Sequence, residues 1–135
     1  MKIYFARTIR GQTNVNVDEL QNSMKEFGEV LSEKFDYSLN VSKDKQIFEL
    51  DTQMLSLADV VVAEVSNPSL GVGYEIGRAE KLGKPVLCLG KEGVMISAMV
   101  TANPYVTFKR YNSIQDAHYQ INEFLKSGEM LEKGI

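Results

Sequence analysis

Short apolar runs, separated by helical patterns, are the feature that most limits the folds open to this chain. The runs are rich in Val, Ile and aromatic residues and span residues 2–6 (KIYFA), 59–65 (DVVVAEV), 85–90 (PVLCLG) and 105–108 (YVTF). Continuous apolar runs of this length are typical of strands that are buried on both faces. The sequence therefore predicts a parallel sheet that is covered by helices on both sides.

Two apolar stripes at helical spacing support this prediction. One consists of Leu20, Met24, Phe27 and Leu31, and the other of Ile114, Ala117, Ile121, Phe124 and Leu125. Strands that alternate with helices predict right-handed βαβ units and a three-layer α/β sandwich. With residues 37–41 (YSLNV) as the second strand, we expect a five-stranded parallel sheet in the flavodoxin-like or Rossmann-like order 2-1-3-4-5.

Composition indicates a single globular domain over residues 1–135. Hydrophobic residues make up 44% of the chain and charged residues 24%, and no low-complexity linker divides it. The net charge of -3, without a basic cluster, argues against a polymeric nucleic acid as partner. No apolar run approaches the roughly 20 residues of a membrane span, so we expect a cytoplasmic protein without membrane contact.

Metal and disulfide chemistry are disfavoured by residue counts. Cys88 is the only cysteine and His118 the only histidine, so neither an internal disulfide nor a Cys/His metal site can form. Cys88 lies inside an apolar run, where a buried structural thiol is expected, and His118 lies at the edge of a helical stripe, where a packed histidine is expected. We expect no metal.

In the predicted strand order the ligand crevice opens where the first and third strands end. After the first strand come Arg7, Thr8, Arg10 and Gly11, whose backbone amides and guanidinium groups suit a phosphate. An ordinary surface loop with incidental polar residues is the alternative interpretation. After the third strand comes NPSLGVGYEIG, residues 67–77.

The glycines of the second stretch resemble a dinucleotide fingerprint but do not match it. Their spacing is G-x-G-x-x-x-G, and they follow the third strand instead of the first. We expect Ser69 or a nearby residue to cap the helix that follows, with Gly71 and Gly73 allowing a ligand to approach the backbone. Glu75 then compensates the helix dipole or acts as a nucleophile or base, and the local sequence favours neither role.

Asp51 gives an independent indication of chemistry. If residues 47–58 form a helix, Ile47, Leu50, Met54 and Ala58 form its apolar stripe, and Asp51 projects within the buried arc. A buried carboxylate must be paired, hydrogen-bonded or shifted in pKa. Asp51 is therefore a candidate site residue.

Together these stretches resemble the 2'-deoxynucleoside 5'-phosphate N-hydrolases of the nucleoside 2-deoxyribosyltransferase superfamily. The similarity rests on IYFARTIRG (3–11), on ADVVVAEVSNPSLGVGYEIGRA (58–79) and on ISAM (96–99). It implies cleavage of the N-glycosidic bond to give a free base and 2-deoxyribose 5-phosphate, without a cofactor. Glu75 matches the family nucleophile, Asp51 the carboxylate that assists the departing base, and Tyr4 a tyrosine beside the sugar.

The resemblance also implies binding residues and a partner. Substrate contacts are expected from Arg7, Thr8, Ile9, Arg10, Gly11, Ser69, Gly71, Ser97, Ala98 and Met99. Ser97 matches a serine that a neighbouring subunit donates, which implies a homodimer. Departures from the family pattern are Arg7 for glycine, Thr8 for serine, and Lys34 and Phe48 where histidines are expected, which leaves base preference open.

Three alternatives remain. A nucleoside 2-deoxyribosyltransferase would pass the sugar to a second base, although Ser69 and the arginines of the first loop favour a phosphorylated substrate. A ribonucleotide hydrolase acting on CMP-like substrates is disfavoured by Tyr4. A nucleotide-binding module without catalysis is compatible with the fold, but has no need of two carboxylates beside an anion.

Overall fold

The computed structural model describes residues 1–8, 16–31 and 44–127 and shows an α/β fold. Its strands are β1 (Lys2–Ala6), β2 (Glu29–Val30), β3 (Val60–Glu64), β4 (Val86–Lys91) and β5 (Thr107–Tyr111). Its α-helices are α1 (Val17–Ser23), α2 (Asp44–Leu57), α3 (Leu70–Lys81), α4 (Ala98–Thr101) and α5 (Ile114–Lys126), with a 3-10 turn at Met24–Glu26.

The five strands form one parallel sheet in the order β2-β1-β3-β4-β5, which confirms the predicted order. Tyr4 pairs with Val61 and Ala6 with Ala63, so β1 and β3 end side by side. The winding direction reverses between these two strands, and ligands of open α/β sheets bind at such a reversal. The loops after β1 and β3 therefore frame the expected crevice.

Each face of the sheet buries its own apolar core because side chains alternate along each strand. On one face, Tyr4 and Val61 pack with Leu55 of α2 and Ile76 of α3. On the other face, Phe5 and other residues of the sheet pack against α1 and α5. We call these the α2/α3 face and the α1/α5 face.

The second strand and the first helix differ from their predictions. The strand beside β1 lies at Glu29–Val30, and the predicted segment 37–41 lies outside the described residues. The predicted stripe that runs to Leu31 is not a single helix, because α1 ends at Ser23. A Cβ on Gly28 would lie 2.3 Å from the Met1 carbonyl oxygen, so only glycine fits where the chain turns into β2.

The last strand begins two residues later than the start predicted at residue 105. Before it, the Tyr105 hydroxyl donates to the Lys84 carbonyl at 2.6 Å, and the Tyr105 amide donates to the Asn103 side chain at 2.9 Å. These bonds hold Tyr105 in a turn. An apolar pattern alone does not reveal such polar contacts.

Cys88 and His118 have the structural roles expected of them. Cys88 is fully buried in β4, and burial raises the pKa of its thiol to about 12. His118 Nε2 lies 2.8 Å from Glu26 Oε1, and its ring packs on Phe27 with the centroids 4.8 Å apart. Neither residue lies near the crevice loops in sequence.

The described residues were also compared with the expectations for membrane spans and metal sites. No helix in the described part of the chain is both long and apolar enough to cross a membrane. Within residues 1–8, 16–31 and 44–127, no group of three or more His, Cys, Asp or Glu side chains can hold a metal ion. The cytoplasmic location stays a prediction.

Candidate active site

A cleft of about 580 Å³ opens at the carboxyl ends of β1 and β3. We call it the carboxylate cleft. Helix α2 lines one wall with Phe48 and Asp51, helix α3 lines the other with Tyr74 and Glu75, and Arg7 reaches it from the end of β1. The buried carboxylates of Asp51 and Glu75, the exposed carboxylate of Asp44 and one guanidinium group thus line a single cavity.

Glu75 is buried because it lies on the inward stripe of α3. Val72, Ile76 and Ala79 occupy the same stripe, and only 8% of Glu75 is exposed. The stripe faces the sheet, where Tyr4 of β1 donates a hydrogen bond from its hydroxyl to Glu75 Oε2. This contact, between residues 71 positions apart, joins the first strand to the predicted crevice stretch after the third strand.

The surroundings of Glu75 raise the pKa of its carboxyl group from 4.5 to about 7. Burial is the largest cause because a low-dielectric environment disfavours the charged form. The hydrogen bond from Tyr4 acts in the opposite direction, and the charge of Asp51 adds to the increase. Glu75 is therefore poised between its protonated and ionised forms near neutral pH.

Asp51 confirms the prediction of a buried carboxylate on α2. It is 7% exposed and lies on the same inward side as Met54 and Leu55. Because its charge acts on Glu75 from the facing helix, the two acids form a pair across the cleft. We call Tyr4, Asp51 and Glu75 the reaction centre.

The N-terminus of α3 opens on the carboxylate cleft. Ser69 caps the helix, as predicted, and its Oγ accepts a hydrogen bond from the Val72 amide at 3.2 Å. Ser69 and Gly71 line the carboxylate cleft together with Arg7. A helix N-terminus and a guanidinium group both stabilise negative charge.

Other predicted binding residues are distributed differently. Thr8 is half-buried beyond β1 and does not line the carboxylate cleft, while Ile9, Arg10 and Gly11 lie outside the described residues. Ser97 caps the short helix α4, with Ala98 and Met99 in its first turn. Ser97 and Met99 line a second cavity, of about 350 Å³, which shares the wall formed by residues 68–70 and 72 with the carboxylate cleft.

Two aromatic rings in the cleft were not predicted as site residues. Phe48 and Tyr74 face each other across the opening, with ring centroids 6.2 Å apart and an interplanar angle of 45°. Both side chains are about half exposed, at 55% and 50%. Their positions in the sequence could have indicated them. Phe48 precedes Asp51 by about one helical turn, and Tyr74 directly precedes Glu75.

Comparison with known proteins identifies related sequences over most of the chain. A family model for nucleoside 2-deoxyribosyltransferase matches residues 3–123. The "5-hydroxymethyl-dUMP N-hydrolase" of Danio rerio is 42% identical over 110 residues, which is 74% of this chain and 77% of the relative. The "Putative 2'-deoxynucleoside 5'-phosphate N-hydrolase 1" of Syntrophotalea carbinolica is 40% identical over 126 residues, covering 86% and 88%.

Solved structures show the same fold at lower sequence identity. The CMP N-glycosidase of Clostridium botulinum has a TM-score of 0.70 at 19% identity and covers 92% of this chain and 99% of its own. The 2-deoxyribosyltransferase of Bacillus psychrosaccharolyticus has a TM-score of 0.67 at 19% identity, covering 87% and 90%. At this identity the likeness supports the fold.

The raised pKa of Glu75 predicts a stability change for Glu75→Gln. The folded protein holds the proton more tightly than the unfolded chain, so the wild type loses stability as pH rises from about 4.5 to about 7. The glutamine variant lacks this loss. Its stability relative to the wild type should therefore increase by about 3 kcal/mol across that range and stay constant above it.

Urea denaturation of both proteins at several pH values measures this difference. Groups that do not interact with Glu75 cancel in the comparison. A stability difference that does not change with pH would contradict the raised pKa.

Proposed function

The chain belongs to the nucleoside 2-deoxyribosyltransferase family, and from this premise we propose that it hydrolyses the N-glycosidic bond of 2'-deoxynucleoside 5'-monophosphates. The products are the free base and 2-deoxyribose 5-phosphate. The names of the relatives from Danio rerio and Syntrophotalea carbinolica support this reaction. The observation that carries the proposal is the buried Tyr4–Glu75 hydrogen bond, with Asp51 across the same cleft.

Glu75 is the proposed nucleophile. Its ionised carboxylate attacks the anomeric carbon while the bond to the base breaks, through a transition state that resembles an oxocarbenium ion. The resulting glycosyl ester is then hydrolysed by water, which restores the carboxylate and releases the sugar phosphate. Tyr4 holds one carboxylate oxygen and so orients the other for attack.

Asp51 is the proposed acid for the leaving group. A base that departs as an anion is a poor leaving group, so proton transfer or a hydrogen bond to it lowers the barrier. Asp51 is on the wall that faces Glu75, which suits an acid that acts on the opposite side of the scissile bond. Phe48 and Tyr74 provide flat apolar surfaces for the base at the opening.

The 5'-phosphate is proposed to bind at the N-terminus of α3. Ser69, Gly71 and Arg7 line this end of the cleft. Thr8, Ile9, Arg10 and Gly11 follow Arg7 in sequence, and we propose that this loop completes the phosphate site. A phosphate here lies close to the two carboxylates, and the positive helix end and Arg7 offset that repulsion.

The protein is further proposed to act as a homodimer in which Ser97 and the following Ala98 and Met99 contribute to the partner's site. Met95 and Met99 are 94% and 81% exposed, so they are not the core residues that methionines usually are. Leu70, 96% exposed, lies beside them on the second cavity. This apolar surface adjoins the wall of the carboxylate cleft, where a partner's serine would be needed.

Transfer of the sugar to a second base is the alternative activity. The family model that matches residues 3–123 is named for the transferases, and an ester on Glu75 can react with a base as well as with water. The two activities are separated by the product formed when a free base is added. A ribonucleotide substrate is tested in the same assay.

We expect release of free base from at least one of dGMP, dAMP, dCMP and dTMP, and little release from GMP, CMP or deoxyguanosine. Glu75→Ala should lower kcat by at least about a thousandfold while retaining nucleotide affinity, because the covalent step is lost. Glu123→Ala, which removes an exposed glutamate from α5, is the matched control. Chromatography measures the free base.

Three results would contradict parts of this proposal. No release from any nucleotide would remove the hydrolase assignment. Wild-type turnover by Glu75→Ala would assign the nucleophile elsewhere. A new nucleoside formed from an added base, in place of hydrolysis, would identify a transferase.

Arg7→Ala tests the phosphate site. Loss of the guanidinium group should raise KM for the preferred nucleotide by about tenfold, with little change in kcat, since the contact is equally present in ground and transition states. Activity on the corresponding deoxynucleoside should not change. Equal losses on both substrates would show that Arg7 fills the pocket without binding phosphate.

Sedimentation velocity tests the homodimer. The wild type should sediment as a dimer, and Met95→Lys combined with Met99→Lys should shift it toward the monomer, because charge is disfavoured inside an apolar interface. The dissociated variant should also lose turnover, since each site then lacks the partner's Ser97. A fully active monomer would contradict the shared site.

A further inference from the structure

A buried carboxylate outside the reaction centre has no part in the proposed chemistry. Glu64, the last residue of β3, is 3% exposed. Side-chain alternation places it on the α1/α5 face, with Val60 and Val62, whereas Tyr4 of the reaction centre packs on the α2/α3 face. The sheet therefore separates Glu64 from the carboxylate cleft.

Glu64 is held by hydrogen bonds from three donors. Its Oε1 accepts from the Ser66 amide at 2.6 Å, and its Oε2 accepts from the Ser66 hydroxyl at 2.9 Å and from the Tyr111 hydroxyl at 2.5 Å. Burial and the neighbouring carboxylate of Glu64 raise the pKa of Tyr111, so its hydroxyl remains a donor. A carboxylate with this many donors is stable in a buried position.

Ser66 connects this carboxylate to the next strand. Along the sheet the Val65 amide still donates to the Leu89 carbonyl at 2.9 Å. One residue later the chain leaves the sheet, and the Ser66 hydroxyl accepts from the Lys91 amide at 2.8 Å. Ser66 thus donates to Glu64 and accepts from β4, which fixes the point where the chain turns away.

The chain that departs from Ser66 forms the walls of both cavities. Pro68 and Ser69 line the carboxylate cleft and the second cavity alike, and Ser69 caps α3. We call residues 66–69 the cleft turn. Its first residue is fixed by Glu64, and its last residue lies at the phosphate end of the cleft.

We propose that Glu64 is a positioning residue that holds the cleft turn in place for the 5'-phosphate, acting through Ser66. This inference rests on the proposed function. An apolar side chain would fill the end of β3 at lower cost, because a buried carboxylate must find several donors. The carboxylate instead fixes the start of the cleft turn, because its hydrogen bonds and those of Ser66 connect this point to β3, β4 and β5.

The network should affect substrate binding more than the chemical step. The hydrogen bond from Tyr4 holds Glu75 from the α2/α3 face and does not involve Ser66. A looser cleft turn displaces Ser69 and the phosphate contacts, and it leaves the Tyr4–Glu75 bond in place. Phosphate contacts change little during cleavage of the glycosidic bond, so their loss appears in KM.

Glu64→Gln is the first test, because the amide nitrogen cannot accept from Ser66 or Tyr111 as a carboxylate oxygen does. We expect KM for the preferred deoxynucleotide to rise by about tenfold and kcat to stay within about twofold of the wild type. The dissociation constant of inorganic phosphate, measured by calorimetry, should rise in parallel. Ser66→Ala should likewise raise KM with little change in kcat, and this variant replaces Glu64→Gln as the test if Glu64→Gln does not fold.

Ile121→Val is the matched control for loss of stability. Ile121 is fully buried on the same α1/α5 face, and its hydrophobic side chain makes no hydrogen bond to the cleft turn. This variant should lower the unfolding midpoint with KM unchanged. The positioning role would be overturned if Ile121→Val raised KM as much as Glu64→Gln does at the same loss of stability.

Two further results would overturn it. One is an unchanged KM and phosphate affinity in Glu64→Gln, and the other is a fall in kcat with KM unchanged. Phosphate binding needs no turnover, so it separates this inference from the proposed function. Absence of base release by the wild type refutes the function, whereas unchanged phosphate affinity in the variants refutes the role of Glu64.

Discussion

The hydrogen bond from Tyr4 to Glu75 depends on the parallel pairing of β1 with β3. That pairing places Tyr4 beside Val61 and brings the ends of both strands to one edge, where α3 begins six residues after the last residue of β3. The inward stripe of α3 then carries Glu75 over the end of β1. A slip of one residue in the register would turn Tyr4 to the other face and leave Glu75 without its donor.

The fold buries Glu64 and Glu75 in different ways. Glu64 is surrounded by donors from Ser66 and Tyr111, which stabilise a carboxylate. Glu75 receives a hydrogen bond from Tyr4, but burial and the charge of Asp51 outweigh it and raise its pKa. Satisfied donors suit a structural anchor, and incomplete stabilisation suits a group that must react.

Sequence patterns predicted the central fold because its strands are continuous apolar runs. Burial of Asp51 and capping by Ser69 were also predictable, since helical periodicity and cap preference are local properties. The position of β2 was not predictable, because a two-residue strand carries no pattern. The need for glycine at position 28 arises from the close approach of the Met1 carbonyl, which local sequence does not reveal. The hydrogen bond between Tyr4 and Glu75 joins distant residues, so only the resemblance placed both at one site.

Glu64 shows what local patterns miss. Glu64 is a single acid inside the predicted strand 59–65, and its donors come from Ser66, two residues later, and from Tyr111, 47 positions away. The pattern therefore gave no reason to select it. In the structure the same acid is almost completely buried, and burial is what makes it informative.

The low-dielectric surroundings of the buried Glu75 disfavour its ionised form, and they also favour the proposed reaction. In the free protein, burial and the charge of Asp51 disfavour the ionised form of Glu75. The proposed reaction develops positive charge on the sugar next to Glu75, and the same environment strengthens the attraction between that charge and the carboxylates. Since the ground-state sugar is neutral, this attraction arises chiefly in the transition state and lowers the barrier.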